Sequence, residues 1–353
     1  MTLIAWQRGV LVVTGALVAA IGIAASAQAT FPGGNGRIAY TWSLGGEAFE
    51  DGPRPGLVGI VSVRRDGLGR RLVARGGTQP SYSPDGRRIA FLRSQNRLWV
   101  ARADGERARP VTPSEWLVGE HTWSPGGTRI AFERNFVNSG ASALYTVMPD
   151  GTGLQRLLKS PLGIELSEGA WSPNGKALVY DQTSITGRTL VRFVRAGQIT
   201  TLARPAFGAT WSRRGLVAYT TMPAGGGLDQ VCVTRPDPAA TRRCIGFADA
   251  AVSDPTWSPD GRRLMVMYTP QGGGQAEIWI VRPDGTVLTR APRGSVFPIW
   301  SPDGSRLAFS EARFAGEPRL EFEDLWVMHL DGSVKRRLVR GGQVNSPDWQ
   351  PRP

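Results

Sequence analysis

The chain has 353 residues, of which 41% are hydrophobic, and its 42 lysines and arginines outnumber 29 acidic residues to give a formal net charge of +13. This length allows two ordinary domains or one large repetitive one. Lysine occurs only at Lys159, Lys176 and Lys335, and the arginines are spread along the chain. We therefore expect no nucleic-acid partner, although a basic surface outside the cell would attract acidic glycans, wall polymers or lipid headgroups.

The first 29 residues have the layout of a secretory signal peptide. Arg8 precedes an apolar run over 10–26, and the small-x-small sequence Ala27-Gln28-Ala29 follows. This pattern predicts cleavage after Ala29, with an uncleaved membrane anchor as the alternative. No cysteine follows the run for a lipid anchor, and no second segment is long enough to span a membrane. We expect an exported protein (periplasmic, wall-associated or secreted) whose residues 30–353 form one domain.

A motif recurs through most of this domain. Successive copies begin 41, 48, 40, 46 and 43 residues apart, and a shorter relative follows the last copy by 49 residues. A period in the forties with four strands per unit is typical of β-propeller blades. The copies are Tyr82-SPDGRRIAF, Trp123-SPGGTRIAF, Trp171-SPNGKALVY, Trp211-SRRGLVAY, Trp257-SPDGRRLMV and Trp300-SPDGSRLAF, and the shorter relative is Asp348-Trp349-Gln350-Pro351.

Turn residues divide each copy into strands. The aromatic residue ends a first strand, and Ser-Pro-Asp-Gly favours a tight turn because proline presets φ, aspartate bonds the local backbone and glycine accepts positive φ. A second strand such as 89–91, a third such as 98–100, an Asp-Gly turn and a short outer strand follow. A carboxylate in such a turn is predicted to serve the turn rather than chemistry. This applies to Asp85, Asp260 and Asp303.

The two ends complement each other. Residues 36–40 read as a second strand without a first, whereas 346–350 read as a first strand without a second. Together they predict one shared blade that closes the ring and removes exposed sheet edges. The sequence therefore predicts an all-β, seven-bladed propeller of four-stranded antiparallel blades, with six or eight blades as the alternatives.

The repeated W-S-P-D-G-x-x-[IL]-A-[FY] resembles the exported TolB-like propellers, a branch of the WD-type propellers, over about 36–351. Two copies depart from the pattern: Trp211-Ser-Arg-Arg-Gly lacks Pro and Asp, and Tyr82 replaces Trp. The resemblance covers the propeller part only, because TolB proteins carry an additional N-terminal domain. It therefore does not imply the Tol–Pal role.

The two cysteines, Cys232 and Cys244, flank a turn-rich segment between two strand-like runs. An oxidising compartment favours a disulfide here, and closing a loop of this size contributes about 3 kcal/mol. Two free buried thiols are the alternative. A metal site is disfavoured because no histidine lies near either cysteine.

One set of side chains is predicted to meet at the central channel. Three positions before each aromatic residue, the innermost strands carry Gln79, Glu120, Glu168, Gly208, Asp254, Phe297 and Ser346. Glu120, Glu168 and Asp254, with His121 beside them, suggest a site for a cation or an amine, although a solvated polar rim explains the same pattern. Trp116 and Phe297 near this rim suggest stacking on a sugar or peptide, with packing as the alternative.

The sequence contains no nucleophile elbow, zinc-protease helix or phosphate loop, and its only histidines are His121 and His329. We therefore expect a non-catalytic, monomeric scaffold without a cofactor. It would bind a protein or a cell-envelope component through the long connections near 43–56, 135–143, 181–188, 221–229, 269–276 and 311–324. Two alternatives remain open: a polysaccharide hydrolase or lyase using the channel carboxylates, and a binder of acidic wall polymers by charge alone.

Overall fold

The structure is a computed structural model that describes residues 31–43, 58–93, 96–136, 140–167, 169–223, 225–314, 320–340 and 343–352, without the side chains of 312–314 and 320–323. These residues form 28 strands and contain no helix. The predicted signal peptide lies outside the described residues. Within the described ranges, no helix is long and apolar enough to cross a membrane.

The strands form seven four-stranded antiparallel sheets, which confirms the predicted seven-bladed propeller. Sequence order gives the order from channel to rim in six of the sheets. Blade 1 contains β4 (Gly77–Tyr82), β5 (Arg88–Arg93), β6 (Arg97–Arg102) and β7 (Arg109–Pro110). Blade 2 contains β8 (Leu117–Trp123), β9 (Ile130–Phe136), β10 (Ala141–Val147) and β11 (Gln155–Lys159). Blade 3 contains β12 (Ile164–Ser167), β13 (Ala177–Ser184), β14 (Thr189–Arg195) and β15 (Gln198–Ala203). Blade 4 contains β16 (Ala206–Trp211), β17 (Val217–Thr221), β18 (Gln230–Thr234) and β19 (Arg243–Ile245). Blade 5 contains β20 (Ala250–Trp257), β21 (Leu264–Pro270), β22 (Glu277–Val281) and β23 (Val287–Arg290). Blade 6 contains β24 (Ser295–Trp300), β25 (Arg306–Phe314), β26 (Leu320–His329) and β27 (Arg336–Val339).

The seventh sheet, the composite blade, joins the two ends of the chain in the order β28-β1-β2-β3. Its strands are β1 (Gly34–Ser43), β2 (Val58–Val63), β3 (Arg71–Arg75) and β28 (Gln343–Arg352). Ile38 pairs directly with Trp349. The Asn35 side-chain amide also donates to Asp303 of blade 6 at 2.7 Å. The chain ends therefore close the ring as the sequence predicts.

The motif turns use the expected chemistry. In blade 5 the Ser258 hydroxyl donates to Asp260 at 2.6 Å, and the Arg262 backbone N–H donates to the same carboxylate oxygen at 3.1 Å. Gly86 of the corresponding turn in blade 1 has φ 64°, and a Cβ there would lie 1.9 Å from the Pro351 carbonyl oxygen. Glycine thus supplies both the turn conformation and close packing between neighbouring blades.

A second repeated device connects blades around the channel. Most innermost strands are bulged, and the bulge residue three positions before the aromatic has positive φ at Gln79, Gly208, Asp254, Phe297 and Ser346. Such a bulge leaves a backbone N–H out of the strand ladder. The preceding blade supplies its acceptor from one repeated position of the second strand. The pairs are Thr41 with Gln79 at 3.0 Å, Asp181 with Gly208 at 2.6 Å and Thr220 with Asp254 at 3.1 Å.

The structure also pairs Cys232 with Cys244 in a disulfide, across directly opposed positions of β18 and β19. Several predicted connections are shorter than expected because the strands extend further: β13 continues over 181–184, β21 reaches Pro270 and β25 reaches Phe314. The tall hairpin of β13 and β14 therefore carries Asp181 within a strand rather than in a surface loop.

Candidate functional site

Carboxylates from blades 2, 3 and 5 lie along one side of the channel. Two of them, Glu120 and Asp254, are among the predicted residues, and Glu168 lies outside the described residues. The other two, Glu133 and Asp181, occupy the second strands of blades 2 and 3. We call Glu133, Glu120, Asp181 and Asp254 the channel carboxylates.

Proximity and burial both raise the pKa values of the first three. Burial raises the pKa of Glu120 to about 7, and the charge of Asp181 adds to that effect. Burial likewise raises the pKa of Glu133 to about 8, with Glu120 contributing. The pKa of Asp181 rises to about 7 through burial, although backbone N–H donors oppose the shift. At neutral pH these three carboxylates are therefore only partly protonated, so the group can both donate and accept a proton.

Gly208 joins this group to Asp254. Its N–H donates to Asp181, and a Cβ at Gly208 would lie 3.8 Å from the Asp254 carboxylate. Burial raises the pKa of Asp254, against a 2.7 Å hydrogen bond from the Ser253 hydroxyl. Asp181 and Asp254 thus both lie next to Gly208, which has no side chain and leaves space beside the two carboxylates.

The channel carboxylates have no cationic partner among the described residues. The ion pairs there join other acids, such as Asp324 with Arg337 at 3.3 Å, and none involves a channel carboxylate. All four retain some solvent-accessible surface. In a chain with a net charge of +13, this is an acidic recess reachable by solvent.

Other predicted site residues lie apart from this recess. The His121 ring is fully buried, and burial lowers its pKa to about 4, so it is neutral at pH 7 beside the Ala90 backbone. Glu120, its chain neighbour, keeps some solvent-accessible surface. Trp116 packs 4.7 Å from Tyr145 and holds Arg134 against its face at 3.9 Å. The packing alternative therefore describes Trp116 better than the stacking site.

Gln79 and Phe297 do occupy bulges of innermost strands, at φ 51° and 49°. Both side chains are partly exposed. They belong to blades 1 and 6, outside blades 2, 3 and 5, which carry the channel carboxylates.

The predicted metal candidate Glu168 lies outside the described residues. Across the described part of the chain, no three His, Cys, Asp or Glu side chains are grouped so that they could hold a metal ion.

Sequence reasoning missed Glu133 and Asp181, although a usable signal exists. Both immediately follow the [IL]-A-[FY] element of the repeat, at the position held elsewhere by Thr41, Leu92, Thr220, Met267 and Ser310. The structure shows that this position faces the bulge of the next blade. Reading the repeat column by column would have indicated two acids there.

The comparisons with known proteins support a TolB-like propeller fold. No family model matches the chain. TolB from Acinetobacter baumannii superimposes with a TM-score of 0.55 at 19% identity, covering 85% of this chain and 81% of that one. An oligogalacturonate lyase in complex with manganese gives 0.60 at 13% identity, covering 88% and 86%. These levels of identity establish the fold alone.

Peptidases are also among the similar proteins. The uncharacterised peptidase YuxL of Bacillus subtilis (strain 168) is 29% identical over 111 residues, which covers 29% of this chain and only 16% of that protein. An acylaminoacyl peptidase of Pyrococcus horikoshii gives a TM-score of 0.62 at 14% identity, covering 87% of this chain and 51% of that one.

These findings correct the expectation of a non-catalytic scaffold. Similar propellers belong to a lyase and to peptidases, so the lack of a familiar catalytic motif did not indicate a lack of catalysis. A motif search could not decide this question, because the pKa of a carboxylate depends on its environment, which no short motif encodes. The chain has a TolB-like, seven-bladed propeller fold with an acidic recess in its channel.

Proposed function

We propose that the protein is a polysaccharide lyase that acts on an acidic polymer, with Glu120 and Asp181 as the proton-transferring pair. The observation that supports it best is the recess itself. Two carboxylates from adjacent blades each have a pKa raised to about 7 by burial, and their charges interact. Such a pair is half-protonated near neutral pH, so one member can act as base while its partner acts as acid.

In the proposed reaction, the ionised carboxylate removes the proton on the carbon beside the sugar carboxylate. The electron pair forms a carbon–carbon double bond, and the bond to the glycosidic oxygen breaks. The protonated carboxylate gives its proton to that oxygen. The products are an unsaturated sugar end and a free hydroxyl, and the pair of carboxylates exchanges roles without net gain of protons.

Charge and coverage both favour an acidic polymer. The net charge of +13 attracts polyanions at long range, whereas the recess is locally acidic. The similarity to the oligogalacturonate lyase extends over 86% of that chain, whereas only 51% of the acylaminoacyl peptidase is matched.

The test measures turnover of uronate polymers in two ways: by the ultraviolet absorbance of the unsaturated product and by the appearance of new reducing ends. Glu120→Gln and Asp181→Asn should each abolish activity, and Asp260→Asn in a motif turn is the matched control. New reducing ends without ultraviolet absorbance would indicate a hydrolase instead. Full activity in both channel variants would contradict the assignment.

A peptidase-associated role is a second candidate, favoured by the local similarity to YuxL and by the acylaminoacyl peptidase. In this case the propeller would admit peptides to catalytic groups through its channel. Cleavage of blocked short peptides that persists in Glu120→Gln would favour this candidate over the lyase.

A further inference from the structure

A cavity of about 310 Å³ lies on the composite blade, away from the channel. Its floor is formed by β2, and its walls are Trp42, Leu72 and three arginines, Arg70, Arg71 and Arg75. We call it the arginine cleft. Its volume is at the lower end of the range for small-molecule sites, enough for one or two sugar units.

The cleft exists because the composite blade departs from the repeat. In blades 1, 5 and 6, the third strand places a tryptophan opposite the last residue of the [IL]-A-[FY] element: Trp99, Trp279 and Trp326. In the composite blade, Val61 takes that place opposite Tyr40. The outer strand then pairs Leu72 with Val61, where blades 5 and 6 pair arginine with tryptophan. The composite blade therefore lacks both the tryptophan of the third strand and the arginine paired with it on the outer strand.

Gly59 lies at the inner end of the cleft, where the outer strand packs closely against it. It pairs directly with Trp42 on one side and with Arg75 on the other. A Cβ at Gly59 would lie 2.9 Å from the Ala74 carbonyl oxygen and 3.1 Å from Leu72 Cδ1. With no side chain opposite it, the Trp42 ring remains partly exposed.

Among the described residues, nothing neutralises the positive charges around the cleft. The Arg70 guanidinium lies 4.9 Å from the centre of the Trp42 ring, and all three arginines are exposed. None of them forms an ion pair within the described part of the chain, and the nearby Asp66 is paired with Arg64 at 3.4 Å. Three like charges around one cavity repel one another, and an anion between them removes that repulsion.

We propose that the arginine cleft binds a uronate residue of the polymer, outside the site of cleavage. The planar guanidinium groups match the sugar carboxylate, which they bind in a bidentate manner. The exposed Trp42 face and Leu72 provide an apolar surface for the sugar ring. The choice of a uronate rests on the proposed function, whereas the choice of a carboxylate on a ring rests on the cleft alone.

The experiment measures binding of trigalacturonate by calorimetry at low salt, with its neutral methyl ester as the matched ligand. Arg70→Gln with Arg75→Gln should weaken binding at least tenfold. Arg102→Gln, a surface arginine of blade 1, should not change it. Val61→Trp restores the residue found in blades 1, 5 and 6 and should block the cleft while preserving the fold, which circular dichroism checks.

Tight binding of the methyl ester, or unchanged affinity in both the double arginine variant and Val61→Trp, would overturn the proposal. Loss of binding in these variants would support it whether or not the protein cleaves the polymer. Arginine-dependent binding without turnover would thus retain the cleft and reject the lyase. Turnover without cleft-dependent binding would reject the cleft proposal and retain the lyase.

Discussion

The motif-turn carboxylates of blades 1, 5 and 6 and the channel carboxylates of blades 2, 3 and 5 lie in environments that give them opposite properties. Burial alone would raise the pKa of Asp260, but hydrogen bonds from Ser258 and the Arg262 N–H, with the charge of Arg263, lower it overall. Burial dominates at Asp181, where the pKa rises to about 7. The difference shows that hydrogen-bond donors around an acid lower its pKa, whereas burial beside other acids raises it.

The largest expected effect separates these two sets by activity. Glu120→Gln or Asp181→Asn should lower kcat on the polymer by about 100-fold or more, because each removes a proton-transferring group. Asp260→Asn should change kcat less than threefold, within the about 0.5 kcal/mol typical of sites away from the chemistry. Initial rates of product formation provide the measurement. Equal losses of kcat in the channel variants and in the turn variant would contradict the proposed difference between the two sets of carboxylates.

Asp348 tests whether an acid of the inner strands can also be structural. It is nearly fully buried, accepts the Tyr82 N–H at 2.6 Å, and burial raises its pKa to about 7. Asp348→Ala leaves that N–H unpaired and should cost about 1 to 3 kcal/mol in urea unfolding. Asp348→Asn retains an acceptor and should be close to wild type. If Ala and Asn were equally destabilising, the hydrogen bond would not be the reason.

The pH dependence of stability should have the sign set by the channel carboxylates. The folded pKa values of Glu120 and Asp181 are about 7, above the ordinary values of 4.5 and 3.8. Between about pH 4 and pH 7 the folded state therefore holds more protons than the unfolded state, so stability falls as pH rises through this window. Urea unfolding should show a loss of about 1 to 3 kcal/mol between about pH 5 and pH 8.

A double variant, Glu120→Gln with Asp181→Asn, should reduce this slope. The turn carboxylates cannot mimic it, because their lowered pKa values place their contribution below about pH 4, where stability is lost as pH falls. A slope that persists unchanged in the double variant would assign the titration to other groups.

The smallest effects concern the turns. Asp260→Ala should destabilise the protein by about 1 kcal/mol through loss of the hydrogen bonds from Ser258 and Arg262. Blade 4 makes a related turn without aspartate, in which Ser212 N–H donates to the Leu216 carbonyl and Gly215 N–H to that of Ser212. Arg214→Asp in that turn should change the free energy of unfolding by less than about 0.5 kcal/mol. A large gain there would mean that aspartate, rather than Ser and Gly, sets the turn.

Some parts of the fold could be predicted because their causes are local. Ser-Pro-Asp-Gly contains its own donors, acceptors and φ preferences, so Asp85, Asp260 and Asp303 could be assigned to turns without a structure. The candidate site could be predicted only in part. Glu120 and Asp254 were identified from their distance to the aromatic residues. The burial of His121 and the packing of Trp116 against Tyr145 depend on tertiary contacts that the spacing does not encode.

The amino-acid order by itself predicted seven blades and the closure of the ring, because a recurring turn and complementary half-blades at the two ends allow every strand edge to be paired. Only the tertiary structure decided which acids meet. Asp181 and Gly208 are 27 positions apart along the chain and join through a hydrogen bond between blades. The raised pKa values of the channel carboxylates arise from burial and mutual repulsion, which exist only once neighbouring blades are packed around the channel.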